Sequence, residues 1–361
     1  MKIERVDVVP FEADYPAGGY AMSHVHLTRH VGRLVRLTTE SGAFGYGEIV
    51  RKPVAAPDKA AAVEDRLLPD LQGLALNELL GLFQDWRDMD DPASPERIGL
   101  TLASGVELAF LDLISREAGL PLSTLLGGAA AQEVAAYNSI SAGAPDDMAR
   151  QVRDRPDHLV VQAKLGVDDI ETDLRRVEAV LSAMRPNQTL LADFNGGLDL
   201  DTARRALPAL EDPRLTWEDP CLSYDDNTEL ARALAQPVML DMCMNGVGMF
   251  LRAIRDGVAG SLVIKPPFVG GLSAARTARD LCVAAGIPFR IDGPWSGPLA
   301  AAGSLHLAMG APASALICSA DLTDPFDLPD TLITHPSSGA VSVTPGPGLG
   351  NLVPRIYETY Q

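Results

Sequence analysis

LLADFNGG (residues 190–197), LTWEDP (215–220) and PVMLDMC (237–243) share one plan, a short apolar run that meets a single acidic residue. Those residues are Asp193, Glu218 and Asp241, and they recur at the length of one strand-plus-helix unit. In a (β/α)8 barrel the C-terminal ends of successive strands converge on one mouth. Three carboxylates gathered there repel one another unless a hard divalent cation lies between them. Two lysines occupy the same kind of position, Lys164 in VVQAKLG (160–166) and Lys265 in SLVIKPP (261–267). Three oxygen donors with a basic amine on either side suit the removal of a proton from carbon.

Outward from these runs the same alternation continues. The pattern predicts eight strands, at 134–140, 158–164, 189–193, 215–218, 237–241, 261–265, 287–292 and 315–319. The segments between them, such as DDIETDLRRVEAVLSAMR (168–185) and LSAARTARDLCVAAG (272–286), have helical period and length. The strands are nearly all apolar, as parallel strands covered by helices are. Before residue 134 the texture differs. Residues 3–9 and 33–39 alternate as strands, GAFGYGE (42–48) completes a small antiparallel sheet, and 56–118 reads as helix, with Gly119 and Pro121 as the stop. The fold class is therefore α/β, a (β/α)8-type barrel at 126–324 with an N-terminal α+β capping domain at 1–125. The Pro- and Gly-rich tail, 325–361, is expected to fold back onto the cap.

Bulk properties narrow the function. The chain has 361 residues and a net charge of −18, which argues against nucleic acid and anionic membrane as partners. A small anionic substrate remains compatible, because a bound cation reverses the local field. No apolar run is expected to reach transmembrane length and MKIERVDVVPFEAD has no signal-peptide plan, so the expected location is the cytoplasm. The four cysteines, Cys221, Cys243, Cys282 and Cys318, form no CxxC pair and read as buried, reduced thiols. A homo-oligomer is the expected assembly.

Each site residue has a plainer alternative. An acid at a strand end is ordinarily a helix N-cap or a solvated loop residue, but three on consecutive strands are a sharper signal. Oxygen-only ligands favour Mg²⁺ over zinc, and none of the six histidines ends a barrel strand. Lys164 and Lys265 end apolar strands, where burial and a nearby cation lower a lysine pKa toward that of a general base. A lone lysine of this kind could form a Schiff base, but that chemistry needs no metal. Asn195 either orients Lys164 or makes a turn. Trp295 and Ser296 lie in DGPWSG (292–297), where the indole either covers a cationic or ring-shaped substrate or simply packs. Ser319 and Asp321 either read a substrate amine or cap a helix. Residues 15–30, YPAGGYAMSHVHLTRH, lack a period and read as a lid that brings Tyr20 and His24 to the substrate.

Together these residues resemble the enolase superfamily, in which a Lys or His base works with Mg²⁺ on an ene-diolate. ELAFLDLISREAGLPLSTLLGG (107–128) is similar to its cap–barrel junction, KPPFVGGLSAA (265–275) to its strand-six Lys-x-x-x-x-Gly-Gly stretch, and PGPGLG (345–350) to its closing segment. Lysines on strands two and six resemble its muconate-lactonizing subgroup, since the mandelate-racemase type would place a His near strand seven. That subgroup usually has Lys-x-Lys on strand two. Here the first position is Gln162, which carries no charge but can donate a hydrogen bond. The barrel end is most similar to the cis-3-hydroxy-L-proline dehydratase branch. The resemblance implies Mg²⁺ on Asp193, Glu218 and Asp241, with Lys164 and Lys265 as acid and base on opposite faces of the substrate. Dehydration and epimerisation both suit two opposed bases. Alternatives are a racemase or epimerase of proline betaine, N-acylamino acids or dipeptides, and, more remotely, a non-catalytic Mg²⁺-dependent carboxylate binder. Dipeptide epimerases typically carry Asp-x-Asp on strand eight, whereas this chain has Ser319-Ala320-Asp321.

Overall fold

The computed structural model describes every residue except 16–18, 23–24, 52–56, 91–95, 294–295, 320–325, 327 and 329. Eight parallel strands run Tyr137–Ile140, Val160–Lys164, Thr189–Asp193, Leu215–Glu218, Val238–Leu240, Ser261–Ile264, Phe289–Ile291 and Leu316–Ser319, each paired with the next in sequence. A parallel bridge from Ala136 to Ser319 joins the last strand to the first. The result is a barrel whose neighbouring strands are joined by helices.

Side chains alternate along each strand between the barrel interior and the helix layer. Val160, Leu191, Met239, Val263 and Cys318 form one compact apolar cluster. Two residues beyond four of them, on the same face of the pleat, stand Gln162, Asp193, Asp241 and Lys265. The interior is thus apolar below and polar at the mouth. Strands two, three and four end in register, with Lys164 beside Asp193 and Asp193 beside Glu218.

The N-terminal sheet is Ile3–Asp14, Arg29–Thr39 and Phe44–Val50, in that order and antiparallel. Helix Ile98–Ala118 lies across it at close range. A Cβ on Gly45 would come within 2.3 Å of Ala109 O, and one on Gly47 within 2.0 Å of Gly105 O. This explains the spacing in GAFGYGE, because only glycine permits that approach. The helix ends at Gly119, whose φ of 68° is the left-handed cap. By length and composition Ile98–Glu117 could cross a membrane, which corrects the expectation that no run reaches that length. Here 83% of its most apolar window is buried inside the protein.

Three other expectations change. Residues 134–140 are not one strand: Val134–Ala135 pairs antiparallel with Ala340–Val343, and the barrel strand begins at Tyr137. Residues 15–30 are not all loop. Tyr20–Met22 pairs with Val25–Leu27 as a short hairpin, and the following strand starts at Arg29. The tail meets both parts of the chain. Its strand lies at the start of the barrel, while helix Val353–Tyr360 brings Tyr357 to 5.1 Å from the Tyr46 ring and Tyr360 to 4.8 Å from Phe11. All four thiols are free, and Cys221, Cys282 and Cys318 are buried.

Candidate active site

The mouth of the barrel gathers an unusual density of buried charge. Asp193 and Glu218 are fully buried, and Asp241, Lys164 and Lys265 are at most 8% exposed. Lys164 Nζ donates to Asp193 Oδ2, and Lys265 Nζ to Asp241 Oδ2 at 2.5 Å. The lysines stand on strands two and six of eight, so they face each other across the mouth.

Gln162 lies one layer below Lys164. Its Nε2 donates to Asp193 Oδ2 at 3.1 Å and to Glu218 Oε2 at 2.9 Å, holding the two acids side by side. Its Oε1 accepts from Ser139 at 3.2 Å. Asn195 takes a left-handed conformation, φ 48°, which Asn tolerates better than most residues. That turn aims its backbone N–H at Asp193 Oδ1, 2.8 Å, and its Nδ2 at Oδ2, 3.0 Å. Asn195 therefore makes the turn and orients Asp193.

The sequence reading passed over two further residues. Arg290 sits in strand seven, 1% exposed, and its guanidinium grips both oxygens of Glu218, at 2.9 and 2.5 Å. Asp292 lies 3.5 Å from it, and the Tyr137 ring centroid 5.1 Å. A lone Arg between Phe289 and Ile291 was the available signal, since alternation turns it inward. Asp219 has φ 39° and is buried, and its Oδ1 accepts the Asp241 N–H at 3.0 Å. It thereby fixes the turn that presents Asp241.

Electrostatics follow from this packing. Burial, then the charge of Glu218, pushes the Asp193 carboxyl up to about 6. Burial opposes ionisation of Glu218 as well, but Arg290 outweighs it and holds that carboxyl down, to about 2. At Lys265 burial pulls the pKa down, yet the charges of Asp241 and Asp292 outweigh burial and hold it above the ordinary value.

Among the described residues no group of three or more His, Cys, Asp or Glu is arranged to hold a metal ion as it stands, because the carboxylates are drawn to Lys164, Arg290 and Lys265. The donor chemistry nevertheless fits a hard divalent cation. Three carboxylates end consecutive strands, and among the described residues Asp241 Oδ1 is buried with no hydrogen-bond partner.

The remaining candidates separate. Ser296 Oγ donates to Gly293 O at 2.8 Å and Ser319 Oγ to Ile291 O at 2.9 Å, so both hydroxyl protons serve the backbone. Trp295, Asp321 and His24 lie outside the described residues, and Tyr20 is placed only as the start of the hairpin. The cap reaches this region through Glu48. Its carboxylate accepts the N–H groups of Gly297, Leu299 and Ala300, capping helix Pro298–Ala308 just beyond the strand-seven loop.

Comparison with known proteins agrees with this architecture. Residues 7–127 match the mandelate racemase/muconate lactonizing enzyme N-terminal domain, and residues 146–354 match the enolase C-terminal domain-like family. The chain is 30% identical to cis-3-hydroxy-L-proline dehydratase of Roseibium aggregatum, over 97% of this chain and 96% of that protein. It is 27% identical to muconate cycloisomerase 1 of Rhodococcus opacus, over 88% and 87%. A solved structure from Roseovarius nubinhibens ISM, a putative mandelate racemase/muconate lactonizing enzyme complexed with magnesium, superposes with a TM-score of 0.85 at 25% identity, covering 97% and 96%. A closed eight-strand barrel with carboxylates at three consecutive strand ends, a lysine on either side and matches to both family domains lead to one assignment: this chain belongs to the enolase superfamily, in its mandelate racemase/muconate lactonizing enzyme family.

Proposed function

We propose that the enzyme removes the α-proton from a carboxylate substrate with Mg²⁺, and that its reaction is dehydration of cis-3-hydroxy-L-proline to Δ¹-pyrroline-2-carboxylate. The observation that carries this reading is the placement of Lys164 and Lys265 on opposite walls of one mouth, with Asp193, Glu218 and Asp241 between them. Full-length similarity to a dehydratase of that substrate supports the choice of reaction. Asp193, Glu218 and Asp241 would hold the ion, which supplies a Lewis acid for the substrate carboxylate and offsets the charge that grows on it.

The protein's own residues do the rest. Gln162, Asn195 and Arg290 fix the two carboxylates Asp193 and Glu218 before substrate arrives, so little reorganisation remains at the moment of reaction. One lysine, as the free amine, takes the α-proton. The other, as the ammonium, gives its proton to the departing 3-hydroxyl. Water leaves, the Cα–Cβ double bond forms, and the enamine tautomerises to the cyclic imine. The opposed lysines also favour a second reading, C2 epimerisation, in which the second ammonium returns a proton to carbon instead.

The test is proton NMR of the Mg²⁺-loaded enzyme with cis-3-hydroxy-L-proline in D₂O. The expected result is loss of the α-proton signal with formation of the imine acid. Epimer formation without water loss would select the second reading, and neither event would reject both for this substrate. Lys164→Ala and Lys265→Ala should differ: the variant that loses the base stops both exchange and dehydration, and the other retains some exchange.

A further inference from the structure

A second polar site lies where the cap meets the barrel, on the outer side of the loop that follows strand five. Here a cavity of about 410 Å³ is lined by Arg97, Cys243, Asn245, Gly246 and Val247, with Val269 opposite. Arg97, 8% exposed, precedes helix Ile98–Ala118. Its Nε and Nη1 are buried and have no hydrogen-bond partner among the described residues. The Phe268 ring lies 6.0 Å from its Cζ. A buried guanidinium left in this state is costly and calls for an explanation.

The other charges facing the cavity are already engaged. Asp90 caps the Gly99 and Leu100 N–H groups at 2.9 and 2.8 Å. Arg87 is held by Gly270 O and Glu107, and Asp88 accepts from Gln84. Among the described residues facing the cavity, Arg97 is therefore the cation whose donors remain open. Burial lowers its pKa to about 10, opposed by Asp90, Cys243 and Asp241, so it stays charged at neutral pH.

Two more features point into the same space. Asn245 Oδ1 is buried with no hydrogen-bond partner among the described residues. Helix Val247–Asp256 begins there, at Gly246, with no side-chain cap and no acid in its first turn. An uncapped helix N-terminus attracts anions. An open guanidinium and an uncapped N-terminus ask for a negative charge, and an open carbonyl oxygen asks for a hydrogen-bond donor.

We propose that this cavity binds a small carboxylate that also carries a hydrogen-bond donor, a hydroxy or amino acid anion, at a site distinct from the metal pocket. The carboxylate accepts from Arg97 Nε and Nη1 and from the first amides of helix Val247–Asp256, and the donor meets Asn245 Oδ1. The site does not depend on the reaction proposed above. It shares the loop that carries Asp241, so the two pockets have a common wall.

Glycolate is the probe, titrated by calorimetry into the Mg²⁺-loaded full chain. Arg97→Met should weaken one binding event by about tenfold or more, the usual effect of losing a charge-assisted hydrogen-bond partner. Asn245→Ala should weaken it less, and acetate, which lacks the donor, should bind more weakly than glycolate. Asp193→Asn, which alters the metal pocket alone, should retain the Arg97-dependent event. Equal glycolate binding by wild type and Arg97→Met overturns the proposal. So does a glycolate-soaked crystal with only water against Arg97, which needs no variant to fold, and acetate binding as tight as glycolate overturns the required donor.

Discussion

At the scale of single residues, Gln162 is the most instructive position. Its amide bridges Asp193 and Glu218 without adding charge. Gln162→Lys puts an ammonium between two of the three proposed ligands, where it competes with a divalent cation. The expected result is weaker apparent Mg²⁺ affinity, read by titrating activity against metal, together with a shifted alkaline limb of the pH–rate profile. Both unchanged would mean that the new ammonium avoids the carboxylates. Arg290 is the fixed cation of the site. Arg290→Met leaves Glu218 buried without its counter-charge, and breaking a buried pair from one side costs about 3–5 kcal/mol. Urea unfolding in EDTA should show that loss, and a change under 1 kcal/mol, about the worth of an exposed ion pair, would show that the guanidinium is dispensable. The acids and lysines were legible in sequence because each ends an apolar run. Arg290 carried a weaker signal, one arginine between Phe289 and Ile291, because a three-residue strand offers a single alternation and holds no acid of its own to mark the pairing with Glu218.

At the scale of elements, strand and helix order could be read from period alone, while joins between elements could not. Val134–Ala135 continues the apolar run of the first barrel strand, and only its distant partner, Ala340–Val343, assigns it to another sheet. Tyr20–Met22 and Val25–Leu27 are too short for a pattern to show. Helix Pro298–Ala308 supplies a pH test away from the metal. Its His306 is fully buried, and burial lowers the imidazole pKa from 6.5 to about 4. The unfolded chain then binds the proton more readily than the folded one between those values. Stability is intact above about pH 6.5, falls as pH drops toward 4, and levels below that. The full effect is on the order of 3 kcal/mol. His306→Leu should flatten this part of the curve in urea unfolding at pH 7.5 and 5. An equal change between these two pH values in wild type and variant would show that the imidazole contributes nothing there.

At the scale of the whole molecule, the proposed Mg²⁺ site would couple metal binding to folding, because an ion held only by the folded chain stabilises it. Mg²⁺ should raise the Tm progressively, by an amount equivalent to about 2.7 kcal/mol at a hundred times its Kd, while NaCl of equal ionic strength should not. Asp193→Asn should lose most of this response, and a wild-type Tm indifferent to Mg²⁺ would count against the proposed ligands. Helix Ile98–Ala118 bears on how the molecule is made. One side meets the N-terminal sheet, built from residues 3–50, and the other meets Pro266–Val269, Leu272–Ala285 and Pro298–Ala308. The ribosome therefore delivers a membrane-length apolar rod long before it delivers the second half of its cover. Until residues 266–269 have emerged, that flank of the rod lacks its barrel partners, so a chain stopped before 266 should be recovered in aggregates rather than as a stable cap.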